Sequence, residues 1–257
     1  MSAAGLPTVL AVVPARFAST RFPGKVIAPL AGKPLVAHTY ARACESRLVT
    51  SAVVATDDER VVQALEPHGV RVVMTRPDHP SGTDRIAEVA SNTDAAIIVN
   101  VQGDEPLIDP ETIDAAVRPL LDDADVPMST AKRLITNPAT ITDPNVVKVV
   151  SDEHGRALYF SRSTIPHVRD EADRAATPPC YWQHIGLYVY RRDFLLAYAT
   201  WPQTPLEKLE KLEQLRVLER GYPIAVVETE YESIGVDTPE DLERVQGLIE
   251  NTLEGRT

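Results

Sequence analysis

Residues 8–25 of the chain read TVLAVVPARFASTRFPGK. The first six residues form a short apolar run rich in β-branched side chains, and such a run predicts a strand that is buried on both faces. The remainder carries three cations, Arg16, Arg21 and Lys25, together with the hydroxyls of Ser19 and Thr20. A buried strand that leads directly into a cationic loop predicts the start of an α/β fold with a ligand-binding loop.

The same alternation continues through the first half of the chain. Apolar runs at 52–56, 70–74 and 96–101 predict strands, and the stretches 35–47, 58–67 and 83–90 between them predict helices. This order is typical of a mainly parallel, doubly wound sheet. Because ligands of such sheets bind beyond the carboxyl ends of the strands, we expect function in the loops after residues 13, 74 and 101.

The second half has a mixed pattern. Runs at 146–150 and 157–160 predict a hairpin, 166–182 a loop, 185–190 a strand and 206–220 a single helix with a leucine stripe. Pro239 and the acids around it predict the start of a last helix. We expect one domain over residues 1–257, to which about 127–220 contribute a smaller lobe.

Bulk composition excludes several classes of function. The formal charge of −11 argues against binding of a nucleic-acid backbone. The apolar run at 6–15 is too short to span a bilayer and lacks a basic segment before it, so we expect no membrane insertion and no signal peptide. Cys44 and Cys180 form no CxxC pair, which favours reduced thiols in a cytoplasmic protein.

The loop at 14–25 favours phosphate binding over a solvated cationic surface. No acid precedes Glu45, and Arg and Lys donors at the end of a strand suit phosphate oxygens. The loop is not a Walker P-loop, because Ser19 and Val26 stand where that pattern needs Gly and Ser or Thr.

Two aspartates are candidate magnesium ligands. Asp104 lies in NVQGDEP (100–106) and Asp237 in GVDTPE (235–240). Taken locally, the first is better explained as part of a turn and the second as a helix N-cap. They can hold a cation together only if the fold brings them close. Asp123 and Asp125 match the DxD pattern of glycosyltransferases but follow a predicted helix, and no histidine pair shows metal-ligand spacing.

Taken together, seven strings resemble those of the CMP-Kdo synthetases (3-deoxy-manno-octulosonate cytidylyltransferases). They are PARFASTRFPGK (14–25), SGTDR (81–85), NVQGDEP (100–106), ALYFSR (157–162), HIGLY (184–188), LEQLR (212–216) and GVDTPEDL (235–242). The resemblance implies a Rossmann-like nucleotidyltransferase fold with a mainly parallel mixed sheet and a smaller lobe that forms a homodimer. It also implies magnesium-dependent transfer of CMP from CTP to 3-deoxy-D-manno-octulosonate (Kdo) in lipopolysaccharide biosynthesis.

The resemblance also assigns site residues. The expected catalytic residues are Arg16, Lys25, Asp104 and Asp237, the last two as magnesium ligands. The expected nucleotide contacts are Arg16, Ser19, Arg21, Lys25, Arg76, Ser81, Gly82 and Gln102. The expected sugar-acid contacts are Gln102, Arg162, His184, Tyr188, Glu213 and Gln214.

Three other readings stay open at this point. An enzyme of the same mechanism could act on an 8-amino Kdo analogue or an acylneuraminate. A nucleotide-binding protein without turnover would be expected to lack Lys25 or a metal carboxylate, and all are present. A glycosyltransferase would need Asp123 and Asp125 at the site.

Overall fold

The computed structural model describes residues 7–18, 22–170, 172 and 181–254, and confirms the predicted α/β class. The strands are β1 Val9–Pro14, β2 Pro29–Leu30, β3 Lys33–Pro34, β4 Ser51–Thr56, β5 Val72–Met74, β6 Ile97–Asn100, β7 Met128–Leu134, β8 Lys148–Ser151, β9 Ala157–Ser161, β10 Trp182–Arg191 and β11 Ile224–Glu228. The helices are α1 Leu35–Glu45, α2 Glu59–Leu65, α3 Gly82–Ser91, α4 Pro110–Asp122, α5 Pro138–Ile141, α6 Arg192–Ala199, α7 Pro205–Glu210, α8 Leu215–Glu219 and α9 Pro239–Glu254.

One mixed sheet organises the described residues, in the strand order β11-β7-β10-β6-β1-β4-β5. Strands β6, β1, β4 and β5 run parallel to one another, and β7 runs parallel to β11. Strand β10 runs antiparallel to both β6 and β7, and the antiparallel hairpin β8–β9 attaches to it. The prediction of a mainly parallel sheet is therefore confirmed.

Strand β1 lies in the middle of this sheet and feeds two core layers. Val9, Ala11 and Val13 pack in one hydrophobic cluster, which includes residues of α1 and α4. Leu10 and Val12 pack in another, which includes residues of α3. Since successive side chains of a strand point to opposite faces, a strand covered on both sides needs the continuous apolar run that the sequence shows.

The prediction of a single helix over 206–220 is wrong. Helix α7 ends at Glu210 and is followed by Lys211, whose backbone is left-handed (φ 55°), and α8 starts at Leu215. The break lets Arg216 donate to the buried carboxylate of Glu207 through Nε at 2.7 Å and Nη2 at 2.5 Å. In one continuous helix these residues would lie about 13 Å apart along the axis, so they could not pair.

The leucine stripe of this region divides accordingly. Leu212 and Leu215 are buried, whereas Leu209 is 80% exposed. The two short helices flank the segment 211–214, which carries Glu213 and Gln214. The break in the helix therefore decides where two of the expected sugar-acid residues lie.

Residues 127–220 supply two strands of the main sheet, β7 and β10, as well as the predicted hairpin β8–β9. Most of the predicted loop at 166–182 falls outside the described residues. The assignment of this region to a smaller dimerisation lobe stays a prediction. Within the described part of the chain, no helix is long and apolar enough to cross a membrane.

Candidate active site

A pocket of about 390 Å³ opens at the carboxyl ends of β1 and β6, which is the edge that the sequence predicted. Its size is in the range of small-molecule sites. The described residues that line it are Pro14, Arg16, Ala18, Lys25, Val26, Gly82, Gln102, Gly103, Asp104 and Asp237. Four segments far apart in the sequence therefore meet at one site.

Lys25 joins the two candidate magnesium ligands. Its ammonium donates to Asp104 Oδ2 at 2.8 Å, to Asp237 Oδ1 at 2.8 Å and to the carbonyl oxygen of Val236 at 3.0 Å. The two carboxylate oxygens are at most twice 2.8 Å apart, because each lies that distance from the same Nζ atom. The fold thus brings Asp104 and Asp237 together, as the magnesium hypothesis required.

The carboxylates of Asp104 and Asp237 stabilise the protonated form of Lys25. Burial of the side chain opposes ionisation, but the carboxylates of Asp104 and Asp237 outweigh it and raise the pKa of Lys25 above its usual value. Lys25 directly follows Gly24 in the sequence. Gly24 adopts a left-handed backbone (φ 73°) and donates its N–H to the carbonyl oxygen of Phe17 at 3.0 Å. This turn directs Lys25 back into the pocket, and a residue with a Cβ would be strained there.

Backbone contacts fix the two aspartates relative to each other. The N–H of Val236 donates to the carbonyl oxygen of Asp104 at 2.9 Å. Thr238, rather than Asp237, caps α9: its Oγ1 accepts from the N–H of Asp241 at 3.2 Å, and the Asp241 carboxylate accepts in return from the N–H of Thr238 at 2.9 Å. The local hypothesis that Asp237 is the N-cap is therefore wrong, and its side chain is directed to Lys25 instead.

The loops after β1 and β6 touch at Gly103. A Cβ at this position would lie 2.5 Å from the carbonyl oxygen of Pro14, which is closer than such atoms approach. The side chain of Asp104 enters the pocket next to this contact. A glycine is required here by the close approach of the two backbones.

We expect Gly103→Ala to lower the free energy of unfolding by about 1–3 kcal/mol, the usual scale of overpacking. The loop that carries Asp104 must move away from Pro14 to make room, so activity should fall as well. Thermal and urea unfolding measure the first effect. Gly247→Ala, at a helical glycine whose added Cβ meets nothing within 4 Å, is the control and should not destabilise the protein. Equal stability of both variants would contradict the close contact.

Glu105 lies behind Asp104 and was not singled out by the sequence. Ser233 Oγ donates to its Oε1 at 2.9 Å, and the hydroxyl of Tyr231 lies 3.4 Å from its Oε2. Burial raises the pKa of this carboxyl to about 7. Glu105 thus ties the loop after β6 to the segment that precedes Asp237, and no local signal reveals this because its partners are more than a hundred residues away.

The expected nucleotide contacts do not all line the pocket. Arg16 and Gly82 line the pocket, and Arg16 Nη2 donates to the carbonyl oxygen of His79 at 2.9 Å. Ser81 caps α3 in a reciprocal arrangement with Asp84. Arg76 is exposed and lies beside Glu88, with Nε 3.6 Å from its carboxylate, and it does not line the pocket. Ser19 and Arg21 lie outside the described residues.

Several expected sugar-acid residues gather beside the pocket. Gln102 Nε2 donates to the carbonyl oxygen of Gly186 at 3.1 Å. The Tyr188 hydroxyl donates to Gln214 Oε1 at 3.2 Å. Thr83 Oγ1, in the first turn of α3, donates to Glu213 Oε2 at 2.7 Å. These bonds connect β10 and the segment between α7 and α8 to the walls of the pocket.

His184 is a core residue in this structure. Its ring packs against Phe160 and Tyr188, and Nε2 lies 2.9 Å from Thr130 Oγ1. Burial lowers the pKa of His184 to about 3, so the imidazole is neutral at physiological pH. It therefore supplies no positive charge for a sugar carboxylate.

Arg162 follows β9, is half-buried and has its guanidinium held by backbone carbonyls. The residues expected to contact the sugar acid that do not line the described pocket are Arg162, His184, Tyr188, Glu213 and Gln214. Their contact with a substrate stays a prediction. Asp123 and Asp125 are exposed at the end of α4, as expected for a solvated helix terminus rather than a metal site.

The chain is similar to known proteins over most of its length. The family described as Cytidylyltransferase matches residues 10–233. A 3-deoxy-manno-octulosonate cytidylyltransferase of Solibacter usitatus (strain Ellin6076) is 61% identical over 245 residues, which cover 95% of this chain and 96% of the relative. Its namesake in Geobacter metallireducens (strain ATCC 53774 / DSM 7210 / GS-15) is 57% identical over 244 residues, which cover 92% and 96%.

Solved structures show the same likeness. CMP:2-keto-3-deoxy-manno-octonic acid synthetase complexed with CTP superposes with a TM-score of 0.89 at 41% identity, covering 95% of this chain and 99% of that one. A cytidylyltransferase from Leptospira borgpetersenii serovar Hardjo-bovis (strain JB197) reaches a TM-score of 0.61 at 18% identity, with coverage of 95% and 87%, which is a likeness of fold alone.

Proposed function

The chain belongs to the 3-deoxy-manno-octulosonate cytidylyltransferase family, and from this we infer that it transfers CMP from CTP to Kdo and releases pyrophosphate. The relative of known structure with a TM-score of 0.89 binds CTP, which supports CTP as the nucleotide here. A role in lipopolysaccharide biosynthesis, a cytoplasmic location and a homodimer complete the proposal. These last parts rest on the family resemblance.

The convergence of Asp104, Asp237 and Lys25 in one pocket is the observation that carries the proposal. Transfer of a nucleotidyl group to a sugar acid brings two anions together, so the site must neutralise their repulsion. Two carboxylates that can hold a cation, and cationic side chains beside them, are the groups that this task needs. The same pocket wall contains Arg16 and Lys25, both suited to phosphate oxygens.

The residues present fit a magnesium ion. Asp104 and Asp237 offer carboxylate oxygens in one pocket, and no group of three or more His, Cys, Asp or Glu among the described residues forms a closed metal cage. Mg²⁺ is commonly held by one or two carboxylates and completes its coordination with phosphate oxygens and water. When bound, it would withdraw charge from the α-phosphate.

The protein's own residues then have distinct tasks. Lys25 and Arg16 stabilise the negative charge that accumulates on the departing pyrophosphate. The anomeric hydroxyl of Kdo attacks the α-phosphorus and loses its proton to solvent, the bond to the bridging oxygen breaks, and pyrophosphate leaves with the electron pair. Gln102 lines the pocket and donates to the carbonyl oxygen of Gly186 in β10, which supports a role for it in contact with both the nucleotide and the sugar acid.

We expect pyrophosphate release only when CTP, Kdo and Mg²⁺ are all supplied. The assay should cover the four nucleoside triphosphates and three sugar acids, namely Kdo, 8-amino Kdo and an acylneuraminate. The control is the complete mixture with a chelator in excess of Mg²⁺, which should stop release. Turnover with UTP or GTP but not CTP would refute the cytidylyl assignment. A strong preference for another sugar acid would show that this acid, and not Kdo, is the substrate of the same reaction.

A further inference from the structure

Lys148 is a fully buried lysine in β8, with 0% of its surface exposed. Its ammonium donates to three backbone carbonyl oxygens, those of Asp143 at 2.8 Å, Val146 at 2.6 Å and Arg162 at 2.7 Å. An ammonium has three donors, and all three are used. No carboxylate of the described residues pairs with it.

Such an arrangement is costly to build. Burial lowers the pKa of Lys148, although the charges of Asp143 and Glu210 oppose that shift. A buried ammonium without a direct counter-ion is destabilising unless its hydrogen bonds are all made, and an apolar side chain of similar volume would fit the same strand.

The carbonyl oxygens that accept from Lys148 belong to Arg162 and to the loop that contacts it. One is the carbonyl oxygen of Arg162 itself, and the other two belong to the loop 143–146. Pro144, in the same loop, accepts from Arg162 Nη1 at 3.0 Å. Lys148 thus holds both the main chain of Arg162 and the loop on which its guanidinium rests.

Glu210, at the end of α7, holds Arg162 from the other side. Its carboxylate accepts from the backbone N–H of Arg162 at 3.0 Å and from Ser161 Oγ at 2.7 Å. Its carbonyl oxygen accepts from Arg162 Nε at 2.8 Å. With Nε and Nη1 engaged by carbonyls, the guanidinium has one orientation, and Nη2 bonds to none of the described residues.

We propose that Lys148, together with Glu210, is a positioning residue that fixes Arg162 for the carboxylate of the sugar acid. The inference rests on the proposed function and on the role of sugar-acid contact that the family resemblance predicts for Arg162. Preorganisation of an Arg donor lowers the cost of ordering it when the substrate binds. Among the described residues, no hydrogen bond joins Lys25 or Arg16, on the nucleotide side of the site, to this network.

The test compares Lys148→Met with Lys132→Met. Lys132 is also buried, at 6% exposure, but its ammonium contacts Ser151 Oγ at 2.9 Å and the ring of Trp182 instead of Arg162. Steady-state kinetics are measured with CTP and Kdo varied separately. We expect Lys148→Met to raise the KM for Kdo about tenfold or more, since misplacement of a contact by about 1 Å can cost up to about 10²-fold. The KM for CTP should stay within about twofold, and Lys132→Met should change neither.

A second variant keeps the test decisive. Glu210→Gln weakens the bonds to Arg162 and Ser161 without removing a cation, and we expect it to raise the KM for Kdo in the same selective way. If Lys148→Met does not fold, as judged by thermal unfolding, Glu210→Gln decides alone. An unchanged KM for Kdo, or an equal rise in both KM values, would overturn the proposal. Failure of the wild type to use Kdo would instead overturn the proposed function.

Discussion

Replacement of either Asp104 or Asp237 by Asn should lower turnover about 10³-fold, because several kcal/mol of charge stabilisation by the metal is lost. The amide keeps the shape of the side chain and can still accept a hydrogen bond from Lys25. Both side chains are partly exposed, at 32% and 43%, so their ion pairs with Lys25 contribute little to folding. We therefore expect near-normal thermal unfolding. Pyrophosphate release at saturating CTP, Kdo and Mg²⁺ measures the loss.

Asp123→Asn and Asp125→Asn are the matched controls. They make the same chemical change at the exposed DxD sequence at the end of α4, and should leave turnover unchanged. Near-normal rates for Asp104→Asn or Asp237→Asn would show that the metal assignment is wrong. A loss of turnover for Asp123→Asn as large as that for Asp104→Asn would show that the effect is not specific to the pocket.

Lys25→Met should lower kcat/KM for CTP about 10²- to 10³-fold, the range seen when one preorganised donor to a developing negative charge is removed. The substitution removes the ammonium from the phosphate side of the pocket. It also leaves the carboxylates of Asp104 and Asp237 close together without the cation that bonds to both. Two unneutralised carboxylates repel each other and an approaching triphosphate.

Lys33→Met is the matched control for Lys25→Met. Lys33 lies in the same cationic stretch of the sequence but is exposed on β3, so its removal changes the net charge equally without touching the pocket. Its effect on kcat/KM measures the long-range attraction of CTP alone, and should shrink as salt is added. A loss for Lys33→Met as large as that for Lys25→Met would contradict a specific role for Lys25.

The strands can be predicted from the sequence because burial on both faces requires apolar residues at consecutive positions. Strands β1, β4 and β6 are covered on both faces, so the sequence of each consists mainly of a continuous apolar run. The loop with Lys25 was recognisable because cations without acids at the end of such a strand are unusual. The local pattern does not indicate the helix break at Lys211, because the contact that accompanies the break, between Glu207 and Arg216, is tertiary.

The site was predictable only in part for the same reason. The local pattern at Asp237 indicated an N-cap, and only its distant contact with Lys25 shows a different role for the side chain. Glu105 and Lys148 act through partners that the fold brings to them, so their types and spacing gave no signal. The family resemblance supplied residue roles that local patterns could not, and those roles stay predictions where no contact tests them.

The close approach of Gly103 to Pro14 has a mechanical consequence. One backbone carries the loop of Arg16 and Lys25, the other carries Asp104, and no side chain separates them. Displacement of either loop by an incoming ligand therefore pushes directly on the other. Binding of a triphosphate at Arg16 and Lys25 should therefore shift Asp104 at the same time, so that the two loops move together and not independently.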